Sequence, residues 1–152
     1  MRKQILILLI AAFACIPSFA QDAAATGKHL RVSLLTCGPG DEEVYEVFGH
    51  TGVRVIDSAN NTDEVYNYGT FAFGPDFELQ FMQGKLLYYV SKAPFMNFMQ
   101  EYIIAKRSVE EQVLLIDDHQ ARHIYDFLEW NAEPENREYK YDFFFDNCAT
   151  RI

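Results

Sequence analysis

The sequence contains few basic residues. It has 13 lysines and arginines against 22 aspartates and glutamates, and its formal net charge at pH 7 is −9. A chain this acidic is poorly suited to nucleic acid, because phosphate backbones are held by clustered Lys and Arg side chains. It is equally poorly suited to binding an anionic lipid surface through a basic patch. The composition therefore favours other classes of partner.

Long apolar runs are also scarce. The run Ile5–Ala14 has about ten residues, whereas a membrane-spanning helix needs about 20. It follows the basic residues Arg2 and Lys3 and precedes a small-x-small cleavage site at 18–20, so residues 1–20 are predicted to be a secretory signal peptide. The protein is thus expected to be exported. Loss of the two basic residues would change the net charge from −9 to −11.

Only three cysteines are present. Cys15 lies in the predicted signal peptide, and a lipobox, in which this cysteine carries a lipid, is the alternative interpretation. The mature chain would keep Cys37 and Cys148, and two cysteines in an oxidising compartment can form a disulfide. A nucleophilic Cys148 and a Cys37–Cys148 disulfide are therefore competing hypotheses.

Local patterns predict an α+β fold. After a polar linker at 21–28, one domain is expected over 29–152, with no repeat and no second domain. β-Branched runs bounded by turn residues predict strands, and apolar residues three and four apart predict helices. The strands are placed at 29–36, 50–56, 64–69, 86–92 and 108–116, and the helices at 76–84, 93–107 and 117–132. Together they predict an antiparallel sheet with the packed helices on one side.

The stretch "FFFDNCATRI" at the end of the chain has the features of a nucleophile site. Asp146 is placed to cap a helix, with Cys148 in its first turn, where unpaired N–H groups and the helix dipole favour a thiolate. His50, between Gly49 and Gly52, is the natural base. Cysteine at a helix start facing histidine on a sheet is the papain-type arrangement, and because His50 comes first here, that arrangement would require a permuted version of the fold. An ordinary core cysteine is the alternative.

A third residue is expected to orient His50. The strand "EVYNYG" offers Tyr66, Asn67 and Tyr68, and Asn67 is the choice because its amide can accept the imidazole N–H without adding a charge. The alternative is that Asn67 only bonds nearby turn backbone. The three phenylalanines at 143–145 are expected in the core rather than in an acyl groove.

Other patterns give no indication of a metal or cofactor. His119 and His123 have the i,i+4 spacing of metal ligands, but no third ligand is indicated, so they are expected on a solvated helix face. The stretch "CGPG" at 37–40 lacks the lysine and the glycine spacing of a phosphate-binding loop and is interpreted as a turn.

Four blocks of sequence resemble the Lnb N-terminal periplasmic domain family of diderm bacteria. In order, they are "SLLTCGPGDEEVYEVFGHTGVRV", "EVYNYGTFAF", "YIIAKRSVEEQVLLI" and "PENREYKYDFFFDNCATRI". The family is similar in layout to permuted papain-like folds of the NlpC/P60 and lecithin:retinol acyltransferase types. Its histidine corresponds to His50 in "FGHT" and its cysteine to Cys148 in "DNCAT".

The resemblance implies a periplasmic thiol-dependent acyltransferase that acts on lipoproteins. An acyl chain would pass from a lipid ester to the cysteine as a thioester, and then to the amino group of a lipoprotein's N-terminal cysteine. Family members continue past "NCATRI" into membrane-spanning helices, so this 152-residue chain is expected to be incomplete, to stop just after the nucleophile helix begins, and to be inactive alone. The alternatives are a cell-wall cysteine peptidase or amidase, and a non-catalytic domain with a Cys37–Cys148 disulfide.

Overall fold

The computed structural model describes residues 29–41, 46–72, 74, 79–80, 83, 85–142 and 144–152. The predicted signal peptide and linker lie outside these residues. So do Asp76 and Gly84, the predicted ends of the first helix, although Leu79 and Gln80 in its middle are helical.

A six-stranded antiparallel sheet forms the centre of the described chain. Its strands are β1 (Leu30–Cys37), β2 (His50–Asp57), β3 (Thr62–Phe71), β4 (Leu87–Pro94), β5 (Val109–Val113) and β6 (Glu138–Lys140). Their spatial order is β5-β1-β2-β3-β4-β6, so β1 to β4 pair in chain order and the two later strands are added at opposite edges. The predicted α+β domain with an antiparallel sheet is confirmed.

Two helices pack on opposite faces of this sheet. They are α1 (Phe95–Ile104) and α2 (Asp118–Ala132). Val65 of β3 packs in a cluster with Phe98 of α1, whereas its neighbour Tyr66 packs in a cluster with Leu128 of α2. Because successive residues of a strand point to opposite faces, the two helices cover different faces, and the prediction of helices on one side was wrong. An amphipathic stripe shows that a helix packs but not which face it covers.

The ends and buried stripes of the helices follow local sequence signals. Asp117 begins α2 with a capping box: its side chain accepts the backbone N–H of Gln120 at 2.8 Å, and the Gln120 side chain accepts the Asp117 N–H at 3.0 Å. His119 and His123 are exposed on this helix, as expected of a solvated face. In α1 the predicted apolar stripe is buried only in part, since Ile103 is 61% exposed. Within the described residues, neither helix has the length and apolar character needed to cross a membrane.

The loop between β1 and β2 is held by a largely buried ion pair. Arg107 Nε donates a hydrogen bond to the Gly38 carbonyl at 3.0 Å, and its Nη1 donates to Glu46 Oε1 at 2.7 Å. The Gly49 N–H then donates to the Glu46 carbonyl at 3.0 Å. Gly49 has a φ of +70°, and an added Cβ would lie 2.6 Å from a β1 carbonyl oxygen, so glycine is required there. These contacts set where β2 begins, at His50.

Candidate active site

The three predicted site residues lie together at one end of the sheet. His50 opens β2 and Asn67 lies in β3, both on the face that α1 covers. The Nε2–H of His50 donates a hydrogen bond to the Asn67 side-chain oxygen. The thiol of Cys148 lies beside the same imidazole, close enough for His50 to lower the pKa of the thiol. Because Asn67 occupies Nε2, the Nδ1 atom of His50 is the one left to accept the thiol proton.

The surroundings of Cys148 favour its thiolate form. Burial by itself would raise the pKa of this thiol. The hydrogen bond and the charge of His50 lower it, as do hydrogen bonds from Thr51, and the net result is a pKa below the ordinary value of a cysteine. Cys37 shows the opposite behaviour: it is 2% exposed, and burial raises the pKa of its thiol. Since the thiolate is the nucleophilic form, this difference in pKa favours Cys148 over Cys37 as a candidate nucleophile.

Asn147, and not the predicted Asp146, caps the turn that carries Cys148. The Asn147 side-chain oxygen accepts the backbone N–H groups two and three residues later, at 2.8 and 3.1 Å. The Arg151 N–H donates to the Asn147 carbonyl at 3.2 Å, which closes one helical turn. Asp146 is instead paired with the Arg151 guanidinium through both carboxylate oxygens. A charged, two-point partner outcompetes the neutral N–H groups for this carboxylate, which explains the error.

Gly69 allows the cysteine turn to approach the sheet closely. It has a φ of +88°, and the pairing of β3 with β4 shifts register between Asn67 and Thr70, around this glycine. A Cβ added at Gly69 would lie 3.5 Å from the Cβ of Cys148 and 4.0 Å from Cε1 of His50. The bulge therefore packs directly against both proposed reacting residues, as is common for β-bulges beside active sites.

A cavity of about 300 Å³ opens beside His50. Its walls include Glu46, His50, Asn67, Phe71, Tyr102 and Arg107. This volume is at the lower end of the range for ligand pockets, so it can hold part of a substrate next to the imidazole. A second cavity, of about 340 Å³, is lined by residues such as Lys85 and Arg137 and includes none of the three site residues. The smaller cavity is therefore the one relevant to the site.

Sequence reasoning found His50 and Asn67 but missed three other residues that line this cavity. Glu46, Tyr102 and Arg107 come from the β1–β2 loop, from α1 and from the segment after α1. No local motif marked them, since only the tertiary packing brings them to His50. Glu46 and Arg107 carry opposite charges, which is compatible with an ion pair. They are 61 residues apart, however, and no sequence motif connects them.

The phenylalanines before Cys148 were placed wrongly. Phe144 and Phe145 are 74% and 84% exposed, rather than in the core, and Phe143 lies outside the described residues. Asp142 pairs with Asp146 in a short antiparallel bridge, and its side-chain oxygen accepts the backbone N–H groups of both exposed phenylalanines at 2.9 Å. The two rings are therefore displayed on a tight loop, which the run of apolar letters did not reveal.

Cys37 and Cys148 are both free thiols. Cys37 lies opposite His50 in the β1–β2 register and packs in a cluster with Tyr102, whereas Cys148 lies beside His50. The Cys37–Cys148 disulfide of the non-catalytic alternative is not formed. Over the described part of the chain, no cluster of three or more His, Cys, Asp or Glu side chains could hold a metal ion.

Comparison with known proteins gives one match. No curated protein and no solved structure matches the chain. The family model described as the Lnb N-terminal periplasmic domain matches residues 19–152, a range that includes His50, Asn67 and Cys148. A periplasmic family supports the export predicted from residues 1–20. With most of its length matched, the chain belongs to the Lnb N-terminal periplasmic domain family.

Proposed function

We propose that this protein is a periplasmic thiol-dependent acyltransferase that acylates the amino terminus of lipoproteins through a thioester on Cys148. The arrangement of Cys148, His50 and Asn67 is the main support: a thiol whose pKa is lowered by the neighbouring imidazole, and an imidazole whose Nε2–H is held by an amide oxygen. A cysteine with this pairing is the usual form of an activated thiol nucleophile.

In the first half-reaction, His50 Nδ1 takes the proton of the Cys148 thiol. The thiolate attacks the carbonyl carbon of a lipid ester, and the tetrahedral intermediate collapses with release of the lipid alcohol, which takes the proton from His50. Cys148 then carries the acyl group as a thioester. Throughout, Asn67 accepts the Nε2–H and keeps the ring oriented, without adding a charge that would hold the proton on the ring.

In the second half-reaction, the amino group of a lipoprotein's N-terminal cysteine attacks the thioester carbonyl. His50 takes a proton from the attacking nitrogen, and the thiolate of Cys148 leaves as the amide forms. In this proposal the acceptor binds in the cavity whose walls include His50 and Asn67. The lipid donor, the lipoprotein acceptor and anchorage of the full-length protein to the membrane by later helices are all part of this proposal.

Family membership favours acyl transfer over the alternative, a cell-wall cysteine peptidase or amidase. The three site residues alone serve either chemistry, because both begin with thiolate attack on a carbonyl. The order of His50 before Cys148 in the chain, together with an antiparallel sheet that carries the histidine, supports the permuted papain-like interpretation.

The test is acyl transfer by the full-length protein in membrane vesicles. A phospholipid with a labelled acyl chain is the donor, and a diacylated lipopeptide with a free amino terminus is the acceptor. We expect label on Cys148, released by hydroxylamine as a thioester is, and labelled amide product when the acceptor is added. Cys148→Ser should abolish the hydroxylamine-labile label, and His50→Ala should slow its formation by about 10²–10⁴-fold.

The matched control is His123→Ala, since His123 is exposed on α2 and has no role in the proposed reaction. It should label as the wild type does. Label on another residue, or undiminished labelling of Cys148 in His50→Ala, would contradict the proposal. Cleavage of cell-wall peptides with no labelled thioester from the phospholipid would favour the peptidase alternative.

A further inference from the structure

We propose that Thr51 is a positioning residue for Cys148: its hydroxyl holds the main chain of the cysteine turn against β2 and so keeps the thiol within reach of His50. The inference rests on the proposed function, because it gives Thr51 a part in activating the Cys148 thiol. In that function Thr51 touches neither the acyl donor nor the acyl acceptor.

The contact joins distant parts of the chain. Thr51 Oγ1 donates a hydrogen bond of 2.9 Å to the Cys148 carbonyl oxygen, across 97 residues of sequence. Thr51 directly follows His50 in β2, so two successive residues of one strand contact the same cysteine: His50 at the thiol and Thr51 at the main chain. A shift of the cysteine turn along β2 would break both contacts at once.

The strand pairing explains why the turn lies there. β2 and β3 pair from Val53, which lies opposite Tyr66, to Asp57 at the end of β2. The first residues of β2, including Thr51, lie outside this register. The cysteine turn lies against that stretch, beside Gly69. Thr51 is also among the groups that lower the pKa of the Cys148 thiol, which is consistent with a place for this residue beside the sulfur.

Two substitutions at Thr51 test this role: one removes the hydroxyl and the other keeps it. Thr51→Val has nearly the same shape and the same branching but no donor, whereas Thr51→Ser keeps the donor. Thr36→Val is the matched control, because Thr36 is an exposed residue of β1 that lies directly opposite Thr51 in the register. Urea denaturation of each variant establishes that the protein measured is folded.

The readout is the pH dependence of Cys148 alkylation in the full-length protein, with the modified cysteine identified by peptide mapping. In Thr51→Val we expect the midpoint to rise by about half a pH unit or more, because the Cys148 carbonyl loses its hydrogen bond and the thiol loses its alignment with His50. Acyl transfer should fall about tenfold in kcat with little change in KM. Thr51→Ser and Thr36→Val should titrate as the wild type does.

Any of the following results would overturn the inference. A folded Thr51→Val with the wild-type midpoint and kcat would show that the hydroxyl has no positioning role. A midpoint raised as much in Thr51→Ser as in Thr51→Val would exclude the hydroxyl as its cause. If the wild-type midpoint is itself near the ordinary value of about 8.5 and does not respond to His50→Ala, the proposed function fails and this inference with it. A low, His50-dependent midpoint unchanged in Thr51→Val would overturn the inference alone.

Discussion

Replacing Arg107 with methionine tests the buried ion pair that holds the β1–β2 loop. The Arg107 and Glu46 side chains are only 6% and 10% exposed, and their atoms approach to 2.7 Å. Methionine keeps most of the apolar stem that lies over the Tyr102 ring, where the guanidinium carbon is now 4.9 Å from the ring centroid. It removes the hydrogen bonds to Glu46 and to the Gly38 carbonyl.

The expected cost follows from what is left behind. Glu46 Oε2 already finds no hydrogen-bond donor among the described residues, so without Arg107 a buried carboxylate would lack both its charge partner and its donor. Removing one member of a buried pair costs about 3–5 kcal/mol, whereas exposed pairs contribute about 0–1 kcal/mol. Because small domains are stable by about 5–15 kcal/mol, this single change would remove a large part of the stability.

The assay is urea unfolding followed by circular dichroism, with Arg122→Met as the matched control. Arg122 forms an i,i+4 pair with Asp126 at 3.9 Å, and their side chains are 49% and 63% exposed. We expect Arg122→Met to cost less than about 1 kcal/mol. The double variant Arg107→Met with Glu46→Gln should cost less than the two single changes added together, since no buried charge remains unpaired. A cost for Arg107→Met no larger than for Arg122→Met would refute the reasoning.

Three further predictions concern the site and the sheet. The alkylation rate of Cys148 should rise with pH about a midpoint below the ordinary value of about 8.5, and His50→Ala should move that midpoint up, which stopped-flow alkylation would show. Gly69→Ala should cost about 1–3 kcal/mol in urea unfolding, because its φ of +88° is strained for any residue with a Cβ; an unchanged midpoint would contradict this. Burial raises the pKa of Glu129, but hydrogen bonds from Lys92 and Tyr66 outweigh it and hold the pKa below its ordinary 4.5, so the folded state binds fewer protons than the unfolded state. The stability from Glu129 is therefore present above about pH 4.5 and lost as the pH falls through its folded pKa, and Glu129→Gln should flatten that part of an acid denaturation curve.

Local signals were sufficient for the elements and for part of the site. Alternating β-branched residues located β2, and Asp117 with Gln120 marked the start of α2 as a capping box. His50 and Cys148 were chosen by chemical type, and the structure brings them together with Asn67. Choice by chemical type was enough to select residues that lie close together in the fold. The catalytic roles of His50, Asn67 and Cys148 stay predictions.

The errors near Cys148 arose where the local sequence was compatible with two different structures. Asp146 and Asn147 are both good caps, and the choice between them was decided by Arg151, which pairs with the aspartate. Phe144 and Phe145 look like core residues until the Asp142 side chain is seen to bond their backbone and turn the chain at that point. In each case the deciding contact is local, but the sequence does not show which of the competing local contacts forms.

The site lies where the regular pairing of the sheet is interrupted. β2 and β3 pair from Val53 and Tyr66 onward, while β3 shifts its register with β4 around Gly69. A continuous ladder would fill the space beside His50 with a neighbouring strand. Because the ladder stops, a turn from the far end of the chain can lie there and present a thiol to an imidazole that belongs to the sheet. The histidine is thereby held by a rigid strand, and the cysteine by a few replaceable contacts. Substitutions at those contacts should therefore change thiol reactivity before they change the fold.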